Sequence, residues 1–222
     1  MDYKYKRITL LSGHYGSGKT NIAVNMALDL KKQYENVAIA DLDIVNPYFR
    51  TKDSAEELQQ NGIRLIVSDY ANSNLDIPAL PDDMYAITDD KKLKTIIDVG
   101  GDDRGALALG RIAPQIVSEN DYDMLLVINK YRPLTPDAAS TVEVMREIEA
   151  AGGIRFTGIV NNSNLAADTT EEDVLNSFEY ANEVSALSGL PVVLTTVEKR
   201  LYNNLLGKVE NLFSLSLQAR PV

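Results

Sequence analysis

Short apolar runs recur along the chain: RITLLSG, NVAIADLD, GIRLIVSD, LKTIIDVGG, YDMLLVINK, RFTGIVNNS and LPVVLTTV. They are rich in Val, Ile and Leu and show little polar alternation. Strands covered on both faces, as in a parallel sheet, read this way. Between several of them the apolar spacing changes to that of a helix. Ile22, Ala23, Met26, Ala27, Leu30 and Tyr34 form one such stripe. A second starts with Thr135 as cap and Pro136 in the first turn, runs through Ala138, Val142, Met145 and Ile148, and stops at Gly152-Gly153. A third starts at Thr170 with Asp173 in the position of a capping-box partner. It carries Val174, Leu175, Phe178 and Leu187 and stops at Gly189 before Pro191.

Alternating strands and helices predict an α/β fold: an open, mostly parallel, seven-stranded sheet with helices on both faces. Residues 70–90, with two prolines, are the least regular stretch and read as a loop with one short helix. There is no internal repeat and no linker, so residues 1–222 are expected to form a single domain.

Composition narrows the chemistry. The chain has no Cys, which excludes disulfides, thiolate zinc sites, Cys-held iron–sulfur clusters and thiol nucleophiles. Its net charge of −10 disfavours direct binding to nucleic acid or anionic lipid. The first residues lack an apolar signal region, and no stretch of about 18 apolar residues occurs. A cytoplasmic location is therefore expected.

The segment Gly13-His14-Tyr15-Gly16-Ser17-Gly18-Lys19-Thr20 fits G-x-x-x-x-G-K-[ST], with a strand before it and a helix after it. Glycines bring backbone N–H groups close to phosphates, and the following helix presents its positive end to the same anion. Lys19 is placed to bridge the β- and γ-phosphates, and the Thr20 hydroxyl to ligate Mg²⁺. Asn21 continues the motif into the helix. Asp41 and Asp43 end the second strand, and Asp98 ends the fourth ahead of Gly100-Gly101. In open α/β sheets ligands lie beyond the C-terminal ends of strands, so these carboxylates are expected at the site. Asp98 reads as the carboxylate fixing Mg²⁺, with Asp41 beside it, and Gly101 as an N–H donor to the γ-phosphate. The alternative for Asp43 and Asp98 is that they cap turns.

The order GHYGSGKT, DLD, DVGG resembles the SIMIBI class of P-loop nucleotidases. Within that class it is similar to the MinD/ParA-type ATPases, from about Arg7 to Val197. The extended pattern GHYGSGKT…DLDIVNPYFR…DVGGDD resembles a bacterial ATP-binding branch. The resemblance implies that Asp43 orients the attacking water, Asp98 belongs to the Mg²⁺ network and Gly101 senses the γ-phosphate. It also implies that Asn162 reads adenine, and that Thr196 and Val197 pack against the base. Relatives carry a signature lysine at the His14 position that reaches the partner's phosphates in an ATP-bound dimer. A histidine does not supply the fixed charge of that lysine. Arg50 and Arg104 are the candidates for the cross-dimer cation, with Lys52 as a further one; His14 could equally bond locally. The absent cysteines separate this chain from cluster-holding and nickel-handling relatives.

Asn129 to Arg132, NKYR, begins like the guanine-reading N-K-x-D, but Arg132 replaces the final acceptor with a donor. ATP is therefore expected over GTP, and Asn129 could simply end a strand. In the tail, Leu201, Leu205, Val209, Leu212 and Phe213 fall at helical spacing. Some relatives end in a membrane-binding helix, which needs a basic polar face. Lys208 and Arg220 are the only cations here, with Glu210 opposing, so core or dimer packing is favoured over membrane docking.

The resulting expectation is a Mg²⁺-dependent ATPase, a switch in which ATP binding and slow hydrolysis are coupled to homodimerisation or to a protein partner. The alternatives are a small-molecule kinase or ATP-dependent ligase of dethiobiotin-synthetase type, and a non-hydrolysing nucleotide sensor.

Overall fold

The computed structural model describes residues 3–42, 55–67, 82–101 and 103–217. Its strands are β1 (Ile8–Ser12), β2 (Val37–Leu42), β3 (Arg64–Val67), β4 (Lys94–Val99), β5 (Tyr122–Ile128), β6 (Gly158–Asn161), β7 (Val192–Glu198) and β8 (Leu212–Leu215). They form one sheet in the order β3-β2-β4-β1-β5-β6-β7-β8, parallel throughout. The helices are α1 (Lys19–Lys31), α2 (Ala55–Gln60), α3 (Asp82–Asp89), α4 (Asp103–Gly110), α5 (Ala113–Glu119), α6 (Ala138–Gly152), α7 (Glu171–Asn176), α8 (Phe178–Ser188) and α9 (Lys199–Leu205).

Period-two geometry assigns each strand residue to one of two cores. Met124, Leu126 and Ile128 of β5 join Ala40, Ile97 and residues of α3, α4, α5, α6 and α8 on one face. Leu125 and Val127 join Ile39, Ile96 and the buried stripe of α1 on the other. Helices therefore cover both faces, as the unbroken apolar runs predict. A third, smaller core joins α7, β7, α9 and β8 through Val174, Val197, Leu201, Leu205 and Leu212.

Three features correct the sequence reading. The sheet has eight strands, not seven, because the tail is not one helix. Gly207 at φ 78° and Asn211 at φ 53° stop helical winding after α9. The remaining apolar residues then alternate, Leu212 toward the small core and Phe213 and Leu215 toward the α1 side. A segment this short fits both periods, and the left-handed residues decide between them. The tail packs into the cores, as expected.

The helix begun at Thr135 starts two residues later. Asp137 is its cap, accepting from the Ser140 backbone N–H at 2.8 Å. Thr135 instead closes a turn, its N–H donating to the Arg132 carbonyl at 3.3 Å. The Thr170–Asp173 capping box forms as read, but its helix is split into α7 and α8 at Ser177. Within residues 70–90 the short helix is α3, and residues 70–81 lie outside the described part.

One buried ion pair ties the layers at the N-terminal edge of the sheet. Arg7, 4% exposed, donates to both Glu119 carboxylate oxygens and to the carbonyls of Ile87, Asp90 and Leu93. The Arg7 hydrogen bond, reinforced by Lys91, holds the Glu119 carboxyl below its ordinary pKa.

Candidate nucleotide-binding site

The phosphate loop leaves the C-terminal end of β1, between β4 and β5 at the middle of the sheet. Gly18 caps α1 in the left-handed conformation, φ 96° and ψ 20°, which turns the chain from strand into helix. The ammonium of Lys19 lies inside the curl, 3.0 Å from the Gly13 carbonyl oxygen and 3.2 Å from that of His14. Ser17 is buried, and its Oγ makes no hydrogen bond. A buried hydroxyl without a partner inside a curl of backbone amides is a group that an anion would satisfy.

The carboxylates reach the loop for a reason of register. Asp98 pairs with Asp41 across β4 and β2, and with Leu11 across β4 and β1. By strand parity both carboxylates project to the same face as Ile96 and Ile39, which is the face covered by α1. Thr20 lies in the first turn of that helix, and its hydroxyl donates to Asp98 Oδ2 at 2.6 Å. Asp98 is fully buried and Asp41 is 5% exposed. A hydroxyl and buried carboxylates are hard oxygen donors of the kind Mg²⁺ takes. Among the described residues no group of three or more metal-binding side chains converges. Mg²⁺ in nucleotide sites takes one or two protein oxygens together with phosphates and water. Thr20, Asp98 and Asp41 therefore suit the ion that the sequence predicts.

Gly101 stands against the start of the loop. A Cβ there would fall well inside van der Waals contact of the Gly13 carbonyl oxygen, 3.1 Å from Gly13 C and 3.3 Å from His14 C. Only a glycine permits so close an approach of backbones. The end of β4 and the phosphate loop thus touch at the place expected for a phosphate-sensing N–H.

The other predicted residues divide. His14 Nδ1 lies 2.9 Å from the Tyr15 carbonyl oxygen, so it carries the proton and the ring is tied to its own loop. Tyr15, at the loop tip, is 60% exposed. The Asn21 side chain points along α1 to the Ser216 carbonyl at 3.4 Å. Asn162 has both ends of its amide engaged: Nδ2 donates to the Ser17 carbonyl at 2.6 Å, and Oδ1 accepts from Thr196 Oγ1 at 2.6 Å. It braces the phosphate loop from β6, and Thr196 braces it in turn. Val197 is buried in the small core. Asp43, Arg50 and Lys52 lie outside the described residues, as does the side chain of Arg104.

Sequence reasoning missed a polar network at the ends of β5 and β6. Asn129 Oδ1 accepts from the N–H groups of Tyr131, at 3.0 Å, and Asn164, at 3.3 Å. It therefore does end the strand with an Asx-type turn. Asn161 holds Ser163 and Ser177. The run N-N-S-N after an apolar strand was the available signal. Arg132 is also brought to the phosphate loop: its Cζ and Nε lie 3.6 Å from where a Gly16 Cβ would stand. Among the described residues no helix is long and apolar enough to cross a membrane.

Comparison with known proteins agrees with this arrangement. The fold is similar to that of FtsY from Mycoplasma mycoides, with 20% identity, 88% of this chain and 64% of that one covered, and a TM-score of 0.57. It is similar to the signal recognition particle receptor FtsY from Elizabethkingia anophelis in complex with GDP, with 16% identity, coverage of 89% and 59%, and a TM-score of 0.51. For the signal recognition particle 54 kDa protein from Aeropyrum pernix in complex with GDP the values are 15%, 88%, 42% and 0.51. The chain spans less than two thirds of the length of these proteins, and at such identities the likeness is one of fold. No curated protein matches the sequence. The sequence does match, over residues 8–176, the family described as CobQ/CobB/MinD/ParA nucleotide binding domain. Those residues contain the phosphate loop, both described carboxylates and Gly101, and on them the chain belongs to the CobQ/CobB/MinD/ParA nucleotide-binding family.

Proposed function

We propose that the chain is a Mg²⁺-dependent ATP-binding protein with slow ATPase activity, a switch whose nucleotide state governs homodimerisation or binding of a protein partner. The observation that carries this reading is the 2.6 Å hydrogen bond from Thr20 Oγ1 to Asp98, at the mouth of a loop that holds the Lys19 ammonium. Lys19 and the loop amides neutralise and orient the phosphates. Thr20 and Asp98, with Asp41 beside them, hold the metal ion, which supplies charge neutralisation of the phosphates when bound. Asp43 orients water for attack. Gly101, in contact with Gly13, relays the presence of the terminal phosphate to β4 and α4. The N-K-Y-R sequence lacks the carboxylate with which guanine readers accept from the base, which supports ATP over GTP. The net charge of −10 supports a protein partner rather than nucleic acid.

Isothermal titration with Mg-ATP and Mg-GTP tests the reading. Wild type is expected to bind Mg-ATP in preference to Mg-GTP, and Lys19→Ala to remove the binding. Absence of binding by wild type, or ATP binding that Lys19→Ala leaves intact, would refute it.

A further inference from the structure

We propose that Arg132 is a phosphate-binding cation of this site, supplied by the same chain and placed over the phosphate loop at Gly16. The inference rests on the nucleotide-binding reading above and adds a residue to it. Arg132 follows β5, the neighbour of β1 on the side away from Asp98. Its backbone is pinned on both sides: its N–H donates to the Asn129 carbonyl at 3.2 Å, and its carbonyl accepts from Thr135 at 3.3 Å. The turn delivers the side chain to the loop, with Cζ and Nε 3.6 Å and Nη1 3.7 Å from the Gly16 Cβ position.

Its neighbours in sequence turn elsewhere. Lys130 donates to the Asn176 carbonyl at 2.8 Å, and the Tyr131 hydroxyl to the Asp173 carbonyl at 2.8 Å. Arg132 alone of the three faces the loop, and its Nε is buried without a hydrogen-bond partner. Burying a charged donor unsatisfied is costly, and the group that would satisfy this one is an anion held by the adjacent loop. A guanidinium offers phosphate a planar fork of donors and stays charged at any physiological pH. His14 offers less, since its Nδ1 is tied to the Tyr15 carbonyl. The residue that breaks the guanine-reading pattern is therefore a phosphate ligand, not an altered base reader.

The test is calorimetric titration of Mg-ATP, Mg-ADP and Mg-GTP into wild type, Arg132→Ala and Arg132→Lys, with thermal melts confirming that each is folded. Loss of one charged hydrogen-bonding group predicts that Arg132→Ala weakens ATP binding about tenfold or more. GTP should lose the same factor as ATP, ADP should lose less, and Arg132→Lys should recover part of the loss. ATP affinity unchanged by Arg132→Ala would overturn the proposal. So would a shift in ATP-to-GTP preference without loss for both, which would make Arg132 a base reader. Wild type that binds no nucleotide would instead overturn the reading on which the proposal stands.

Discussion

Gly101→Ala tests the contact on which the site depends. The added methyl would lie 3.1 Å from Gly13 C and 3.3 Å from His14 C, and well inside contact distance of the Gly13 carbonyl oxygen. All three atoms are backbone, so no side chain can swing away. Ordinary C···O contacts lie at about 3.3–3.6 Å, so either the loop or the end of β4 must retreat by about 1 Å. Displacing the loop amides that face the phosphates should weaken nucleotide binding by about tenfold or more, the loss of one charge-assisted hydrogen bond. Overpacking should also cost about 1–3 kcal/mol of stability. Gly153→Ala is the control. It adds a methyl to a left-handed glycine at φ 66° with nothing within 4 Å, at the far end of α6. It should cost about 1 kcal/mol of stability and leave affinity unchanged. Calorimetry with Mg-ATP and denaturant melts of both variants decide the matter. If Gly101→Ala folds and binds within twofold of wild type, with ~1 Å of displacement required, the loop and β4 do not abut as described.

Two further variants probe the supports around the site. Asn162→Ala leaves the buried Ser17 carbonyl and Thr196 hydroxyl without their amide partner and should cost about 2 kcal/mol. It should also weaken nucleotide binding, and unchanged denaturant midpoints would show that the amide is not a brace. Glu119→Gln removes the partner of the buried Arg7 charge, a change worth about 3 kcal/mol, the lower end for a broken buried pair because three carbonyls still face the guanidinium. Arg7 holds the native Glu119 pKa below the unfolded value. The stabilisation is therefore fully present above the ordinary glutamate value of about 4.3. It is lost as the pH falls through the depressed native pKa. Wild type and variant should converge in stability on acidification, and a difference independent of pH would count against the ion pair.

The parts legible in the sequence were those fixed by local chemistry. The apolar runs announced a buried parallel sheet because β5 feeds both cores from alternate residues, so none of its interior positions can be polar. The Thr170–Asp173 box forms because its two partners are three residues apart and need nothing else. The tail was harder. Leu212 and Phe213 suit a helix or a strand equally, and Gly207 and Asn211 decide through backbone angles rather than side-chain pattern. In the candidate site, Thr20 and Asp98, which the structure brings within 2.6 Å, stand out because the loop motif and a strand-end carboxylate each have a sequence signature. Arg132 carries none for its position. Its distance from Gly16 follows from β5 lying beside β1, which is a fact of topology, and in the sequence alone it reads as one residue of a degenerate base motif.

The topology also explains how the site can act as more than a cradle. The phosphate loop is mounted on β1 but touches both neighbours of that strand. On one side Gly101 meets Gly13, and on the other the Gly13 Cβ position is filled by the Val127 backbone. Gly100 is in turn pressed by the first turn of α4, where a Cβ at Gly105 would stand 2.7 Å from Gly100 Cα. Gly100 and Gly101 are thus clamped between the loop and a helix, through backbone on both sides. Packed backbone does not compress, so a loop that shifts must carry the end of β4 and the start of α4 with it. The Thr20–Asp98 hydrogen bond joins the same two bodies from the α1 face. Two independent links between loop and β4, one steric and one polar, tie that strand end to the loop.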